Sequence, residues 1–251
     1  MSVTIILVGG LGKRMSSPIP KVLHLIKDKP MIYYVIQNAI IMGSSKILIV
    51  VGKFRSMIQE QIDIYFPNSE LFEYINQPEA LGTGHAIKCC IPYFIENRIP
   101  KHYNVAIISG DVPLLSSATL LQLCSLKNSL LITNSETPIG CGRICFDKNH
   151  NIVQIIEEKD CTNEQKKIQY INCGIYHITV DTLLETVPHI TNQNAANEYY
   201  LTDFVELALK KDYVLQYYEL PKEDQYQIIN INTTDDLVKA NLLADDLIHN
   251  V

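Results

Sequence analysis

A chain of 251 residues, 47% hydrophobic and 19% charged, is long enough to bury a large core and falls within the range of one large α/β domain. The formal charge of -6 and pI near 5.6 argue against a general nucleic-acid surface, which needs a basic face, while leaving room for a single small anion met locally. No apolar run approaches the roughly 18 residues of a membrane span. The N-terminus lacks the pattern of a secretory leader, and the seven scattered cysteines read as buried thiols, so a cytoplasmic protein is expected.

Short β-branched runs alternate with helical patterns from the start. The spacing predicts a strand over Val3 to Val8, a helix over Met31 to Met42 after Pro30, a strand over Lys46 to Val51 and a helix over Met57 to Tyr65. Ser56 and Gln59 read as a capping box for that second helix. A strand near Phe72 to Ile75, a helix from Gly84 to about Tyr93 and a strongly apolar strand from Val105 to Ser109 continue the series. Such alternation predicts an α/β fold, a mostly parallel sheet with helices on both faces. After Leu114 the rhythm turns β-rich: Arg143 to Phe146 and Ile152 to Glu157 flank a turn at 147–151, and Tyr170 to Ile178 follows, together predicting a smaller β-rich lid. A strand from Val214 to Glu219 and a helix from about Thr234 to His249, with Thr233 and Asp236 as its capping pair, end the series.

Three segments carry chemistry. The first, L-V-G-G-L-G-K-R-M, runs from Leu7 to Met15 directly after the first strand, where the carboxyl ends of a parallel sheet collect ligands. Gly9, Gly10 and Gly12 let backbone amides approach an anion, and Lys13 and Arg14 add charge, Arg as a planar fork suited to phosphate. Two commoner phosphate motifs fail here: a Walker A loop has Leu7 in place of its first Gly and Arg14 after its Lys, and G-x-G-x-x-G breaks at Met15. A plain Gly-rich turn would explain the glycines but not the paired cations. The second segment is P-K-V-L, Pro20 to Leu23, whose Lys21 is near enough in sequence to reach the same anion. The third is S-G-D-V-P-L, Ser109 to Leu114, which ends the most apolar strand and offers a hard carboxylate, Asp111, to a cation such as Mg²⁺; the bland alternative is an Asp that begins a turn before Pro113.

Together these segments resemble the signature of nucleotidyltransferases that make nucleotide sugars. Q-P-E-A-L-G-T-G-H-A (Gln77 to Ala86), G-C-G-R-I (Gly140 to Ile144), I-I-E-E-K-D (Ile155 to Asp160), I-N-C-G-I-Y (Ile171 to Tyr176) and N-Q-N-A-A-N-E-Y-Y-L-T-D (Asn192 to Asp203) narrow the likeness. In the same order and at similar spacing, they resemble the uridyltransferase domains of the bacterial N-acetylglucosamine-1-phosphate uridyltransferases, over essentially the whole chain. The resemblance implies a Rossmann-like, GT-A-like single domain, with a nucleotide-binding part over about 1–115, a sugar-binding part over about 116–230 and the C-terminal helix. It also implies uridylyl transfer from UTP to N-acetylglucosamine 1-phosphate with Mg²⁺ as cofactor, and no nucleic-acid or membrane partner.

Residue by residue, the resemblance gives the nucleotide Leu7, Gly9, Gly10, Gly12, Lys13, Arg14, Gln77, Gly82 and Thr83, with Gln77 and Gly82 at the uracil edge. The sugar falls to Gly142, Glu157 and Asn172, although Glu157 begins an E-E-K-D run that spacing alone reads equally as a solvated charged stretch. The metal falls to Asp111 and Asn232, with Asn230 as the rival to Asn232, and the catalytic cations are Arg14 and Lys21. Three departures stand out: Val8-Gly9 and Lys13 in the loop, Ser109 where an aromatic is common, and a sequence ending at Val251 without a hexapeptide-repeat β-helix, so acetyl transfer is not expected. Another sugar 1-phosphate, dTTP as donor, or a non-catalytic nucleotide-binding subunit are the competing readings.

Overall fold

A computed structural model describes residues 2–9, 15, 17–67 and 70–248. In chain order the elements are β1 (Ser2–Leu7), the short pair β2 (Leu25–Ile26) and β3 (Lys29–Pro30), α1 (Met31–Ile41), β4 (Ser44–Val51), α2 (Arg55–Tyr65), β5 (Phe72–Asn76), α3 (Thr83–Glu96), β6 (Asn104–Ser109) and α4 (Ser117–Cys124). Then come β7 (Ser129–Asn134), β8 (Arg143–Phe146), β9 (Ile152–Ile156), β10 (Tyr170–Thr179), α5 (Val180–Thr186), α6 (Phe204–Leu209), β11 (Gln216–Glu219) and α7 (Thr234–Ile248).

The main sheet runs β11-β7-β10-β6-β1-β4-β5, with β8 attached to β10 and β9 to β8. The pairs β6-β1, β1-β4, β4-β5 and β7-β11 are parallel, and β10 is antiparallel to both of its neighbours in that order. The strands are apolar along both faces because helices cover both. Val3, Ile5, Val105 and Ile107 pack with Ala86, Ile87, Cys90 and Phe94 of α3 on one side. Ile6, Ile47, Ile49 and Ile108 pack with Ile32, Val35 and Ile36 of α1 and Ile58 and Ile62 of α2 on the other. A strand buried on both faces loses the polar alternation of a half-exposed one. A third, smaller core of Ile26, Met31, Leu114, Ile231, Ala240 and Ala244 fastens α7 to the β2–β3 pair.

Several expectations shift. The strands expected as a lid do not stand apart: β10 is inserted in the central sheet between β6 and β7, and only the β8–β9 hairpin hangs beside it. Its long buried run (Ile171, Cys173 and Ile175 to Thr179) fits a central strand. The capping box at Ser56 and Gln59 does not form, because α2 begins two residues earlier than that box requires, after Phe54, with Arg55 N donating to Gly52 O at 3.1 Å. Helix α3 continues past Pro92 to Glu96, since the helix carries its apolar face through Phe94 into the core. Strand β7 and helices α4, α5 and α6 went unpredicted. The cysteines form no disulfide, but only Cys90, Cys161 and Cys173 are buried; the other four are half-exposed. The Thr233–Asp236 capping pair of α7 forms as expected: Asp236 N donates to Thr233 Oγ1 at 3.1 Å and Thr233 N to Asp236 Oδ2 at 2.9 Å.

Phe204 is fully buried on α6, its ring edge-on to Tyr176 with centroids 5.3 Å apart. Phe204→Ala is expected to destabilise the fold by about 3–5 kcal/mol, the usual range for an aromatic cavity in a core. Urea unfolding followed by circular dichroism measures it.

Candidate active site

The carboxyl ends of β1, β4, β5 and β6 meet at one edge of the sheet, on either side of the point where the strand order reverses around β1. There the chain encloses a cavity of about 290 Å³, lined by residues from several of the predicted motifs: Leu7 and Gly9 after β1, Lys21, Gln77 after β5, Gly82 and Thr83 at the start of α3, and Ser109 and Asp111 at the end of β6. Gly10, Gly12, Lys13 and Arg14 lie outside the described residues.

One wall is electrostatic. Lys21 Nζ donates to Asp111 Oδ2 at 2.5 Å and to Asn232 Oδ1 at 2.9 Å, with the Lys21 and Asp111 side chains only 13% and 10% exposed. Pro20 N-caps the single 3₁₀ turn that carries Lys21, and the buried Val22 and Leu23 anchor that turn. The other carboxylate oxygen of Asp111 accepts from Ser109 Oγ at 2.5 Å. Ser109, read from sequence only as a departure from the family pattern, therefore orients the carboxylate. Asn232 is held in turn by the α7 cap, since its backbone N–H donates to Asp236 Oδ2 at 3.0 Å. Burial raises the Asp236 carboxyl, and the donors from Thr233 and Asn232 outweigh it, leaving it below its ordinary value. The rival Asn230 is exposed, and its carbonyl accepts from Asn232 Nδ2 at 3.3 Å. Asn232, then, is the residue brought to Lys21.

The lining also carries Gln77, Gly82 and Thr83, beside Ala80, Ala86 and the carboxylate of Glu198. Gln77 is buried, and its backbone N–H extends the sheet edge by donating to Val51 O at 2.7 Å. Gly82 has φ of +112°, and a Cβ there would lie 2.5 Å from Tyr199 O, so only glycine allows this turn against the 199–201 segment. Thr83 Oγ1 accepts from Leu201 N at 3.1 Å, tying the same turn to the chain after β10.

Gly142, Glu157 and Asn172 come together beside this cavity without lining it. Asn172 N donates to Gly142 O at 2.9 Å, and the register of β8 with β9, Arg143 opposite Ile156, sets Gly142 across from Glu157. Glu157 accepts from Thr202 Oγ1 at 3.0 Å, and burial, opposed by that hydroxyl, pushes its carboxyl up. Asn172 Nδ2 donates to Tyr176 OH at 2.7 Å. The E-E-K-D run is only half solvated. Glu158 pairs at 2.6 Å with Arg143, whose side chain is 2% exposed, and also accepts from Gly140 N, while Lys159 and Asp160 face water. Arg143 also donates to the Cys141 carbonyl, so the ion pair pins the loop that leads to Gly142. Thr202 and Arg143 were quoted in sequence motifs without roles, and nothing local marked their partners.

Among the described residues, no group of three or more His, Cys, Asp or Glu side chains converges, and no helix is long and apolar enough to cross a membrane. Any cation at Asp111 and Asn232 would thus rest on two protein oxygens and take its remaining ligands from substrate and water.

A strand-edge cavity with a Lys–Asp–Asn cluster on one side and a Gln–Gly turn on the other is the layout expected for a site that moves a nucleotidyl group. The chain belongs to the nucleotidyl transferase family of enzymes, whose model matches residues 3–240. It is 40% identical over 239 residues to a probable UDP-N-acetylglucosamine pyrophosphorylase of Acanthamoeba polyphaga mimivirus, covering 92% of both chains. It is 38% identical over 244 residues to the bifunctional protein GlmU of Thermoanaerobacter pseudethanolicus, covering 95% of this chain and 50% of that one. To the GlmU of Caldanaerobacter subterraneus subsp. tengcongensis it is 40% identical over 211 residues, covering 82% and 44%. The chain spans about half the length of these bacterial relatives.

Next to this site Asp203 is held up at about 6, chiefly by burial and then by the carboxylates of Glu206, Glu157 and Asp160. The folded state therefore keeps a proton that the unfolded chain, titrating near 3.8, has already lost, and stability falls as pH rises through 6. Asp203→Asn is expected to raise the melting temperature at about pH 7.5 and to lose that advantage by about pH 4. Thermal melts at both pH values check it, and an equal difference at both would contradict the assignment.

Proposed function

We propose that this enzyme transfers a uridylyl group from UTP to N-acetylglucosamine 1-phosphate, releasing pyrophosphate and UDP-N-acetylglucosamine. The observation that carries the reading is the Lys21 ammonium poised between Asp111 Oδ2 and Asn232 Oδ1 in the wall of a cavity whose other side is Gln77 and Gly82. It supports phosphate chemistry beside Lys21 and a hydrogen-bonding edge for a base at Gln77 and Gly82. The names of the viral and bacterial relatives support the same sugar.

In this reading a phosphate oxygen of the sugar 1-phosphate attacks the α-phosphorus of UTP and pyrophosphate leaves in line. The nucleophile is already an anion, so no general base is required, and catalysis rests on positioning and charge neutralisation. Lys21 supplies hydrogen bonds to phosphate oxygens when it leaves its two resting acceptors. Arg14 and the amides of the Gly9 to Gly12 loop serve the departing β- and γ-phosphates. The acceptors left behind, one carboxylate and one amide oxygen aimed at a common cation, are the hard oxygen donors that suit Mg²⁺. Bound there, Mg²⁺ would neutralise charge on the triphosphate. Ser109 keeps Asp111 turned toward that position, and Asp236 does the same for the Asn232 backbone. Gly142, Glu157 and Asn172 take the sugar, with Glu157 accepting from a hydroxyl.

Pyrophosphate release measured over UTP, dTTP, CTP and ATP, each paired with N-acetylglucosamine, glucose and N-acetylgalactosamine 1-phosphates plus Mg²⁺, is expected to be fastest for UTP with the N-acetylglucosamine substrate. A different best pair would replace the substrates, and silence for every pair would overturn catalysis itself. Asp111→Ala is expected to lower kcat by at least about 10²-fold while leaving the fold intact, and chelation should stop turnover until Mg²⁺ is restored. Activity that survives either treatment would dismiss Asp111 as the metal ligand.

A further inference from the structure

We propose that His85, which does not line the cavity, is a positioning residue for base selectivity: it locks the Gln77 amide so that Oε1 faces the base and accepts from the N3–H of a uracil-type ring. The inference rests on the reading above that Gln77 meets the nucleotide base. Gln77 Nε2 lies 3.2 Å from Gly82 O and 3.3 Å from His85 Nδ1. A carbonyl can only accept, so the atom facing Gly82 O must be the NH₂ group, and the orientation of the amide follows from the chemistry of its partner. The second amide hydrogen then points at His85 Nδ1. That nitrogen can receive it only when it carries no proton, which makes His85 the neutral tautomer with its proton on Nε2.

Both donors of Gln77 are thereby engaged on protein acceptors, and its remaining polar atom, Oε1, is turned toward the nucleotide loop. A Cβ added at Gly9 would lie 2.8 Å from Oε1, and Gly9 and Gln77 both line the cavity. The glycine leaves this oxygen accessible where a larger residue would cover it. Uracil presents N3–H there and makes a hydrogen bond. Cytosine presents an unprotonated N3, so two acceptors would face each other across a desolvated contact, which is costly. Thymine offers the same N3–H as uracil, so the lock separates UTP from CTP and not from dTTP. His85 is itself held in place: it sits on α3, its ring is 5.9 Å from that of Tyr199, and Gly84 N fixes that segment by donating to Tyr199 O at 2.7 Å.

The test compares kcat/KM for UTP and CTP, with the sugar 1-phosphate that supports turnover, in the parent and in His85→Phe, His85→Asn and Gln77→Ala. His85→Phe keeps a ring against Tyr199 and removes the acceptor; it is expected to lower the UTP-to-CTP ratio by about fivefold, the effect of one hydrogen bond. His85→Asn, whose Oδ1 is an acceptor able to stand in for Nδ1, is expected to bring the ratio back to within about twofold of the parent. An unchanged ratio in His85→Phe, an equal loss for both nucleotides, or no recovery in His85→Asn would overturn the role of His85. His85→Leu repeats the comparison if the Phe variant has a lowered melting temperature. An unchanged ratio in Gln77→Ala would instead remove the base assignment on which the inference rests.

Discussion

The site depends on one ammonium group shared by three distant parts of the chain. Lys21 reaches Asp111, 90 residues away, and Asn232, 211 away, and each of these is braced from behind, Asp111 by Ser109 and Asn232 by Asp236. A largely buried cation and carboxylate lose hydration that only good mutual geometry restores, so such a pair adds little net stability yet is costly to break. The structure accordingly surrounds it with fixed elements: the end of β6, a proline-led turn and the cap of α7. Those braces keep both oxygens aimed at the Lys21 ammonium.

The sheet makes this convergence possible. Parallel strands β1, β4, β5 and β6 all end at the same edge, so the segments after β1, β5 and β6, with Val50 near the end of β4, reach one cavity. Polar side chains there are expensive unless they are paired. Gln77, although buried, gives its donors to Gly82 and His85, and Asn172 gives its own to Tyr176. Pairing within the protein leaves a small number of groups free to read a ligand.

The β-rich half contributes differently. Arg143 and Glu158 pin the loop before Gly142, while burial raises the carboxyl of Glu157 and, with the nearby carboxylates of Glu206, Glu157 and Asp160, holds Asp203 up at about 6. Stability at neutral pH is the cost of keeping Asp203 there.

The sequence by itself determined the class of fold, the phosphate-type loop, the family resemblance and the identities of Lys21, Asp111, Gln77 and Asn232 as residues of interest. The fold class, the loop, Lys21 and Asp111 rest on local rules (periodicity, glycine next to cations, an Asp at the end of an apolar strand), while Gln77 and Asn232 came from the family resemblance. Tertiary structure alone decided that β10 enters the central sheet, that Asn232 and not Asn230 meets Lys21, that Glu157 and Glu158 of the E-E-K-D run are half-buried and paired, and that Ser109, Asp236 and His85 brace the groups around the site. These depend on which strands pair and which side chains meet across many tens of residues. Hydrogen bonds act over about 3 Å, and a one-dimensional pattern carries no record of which distant atoms the packing brings within that reach.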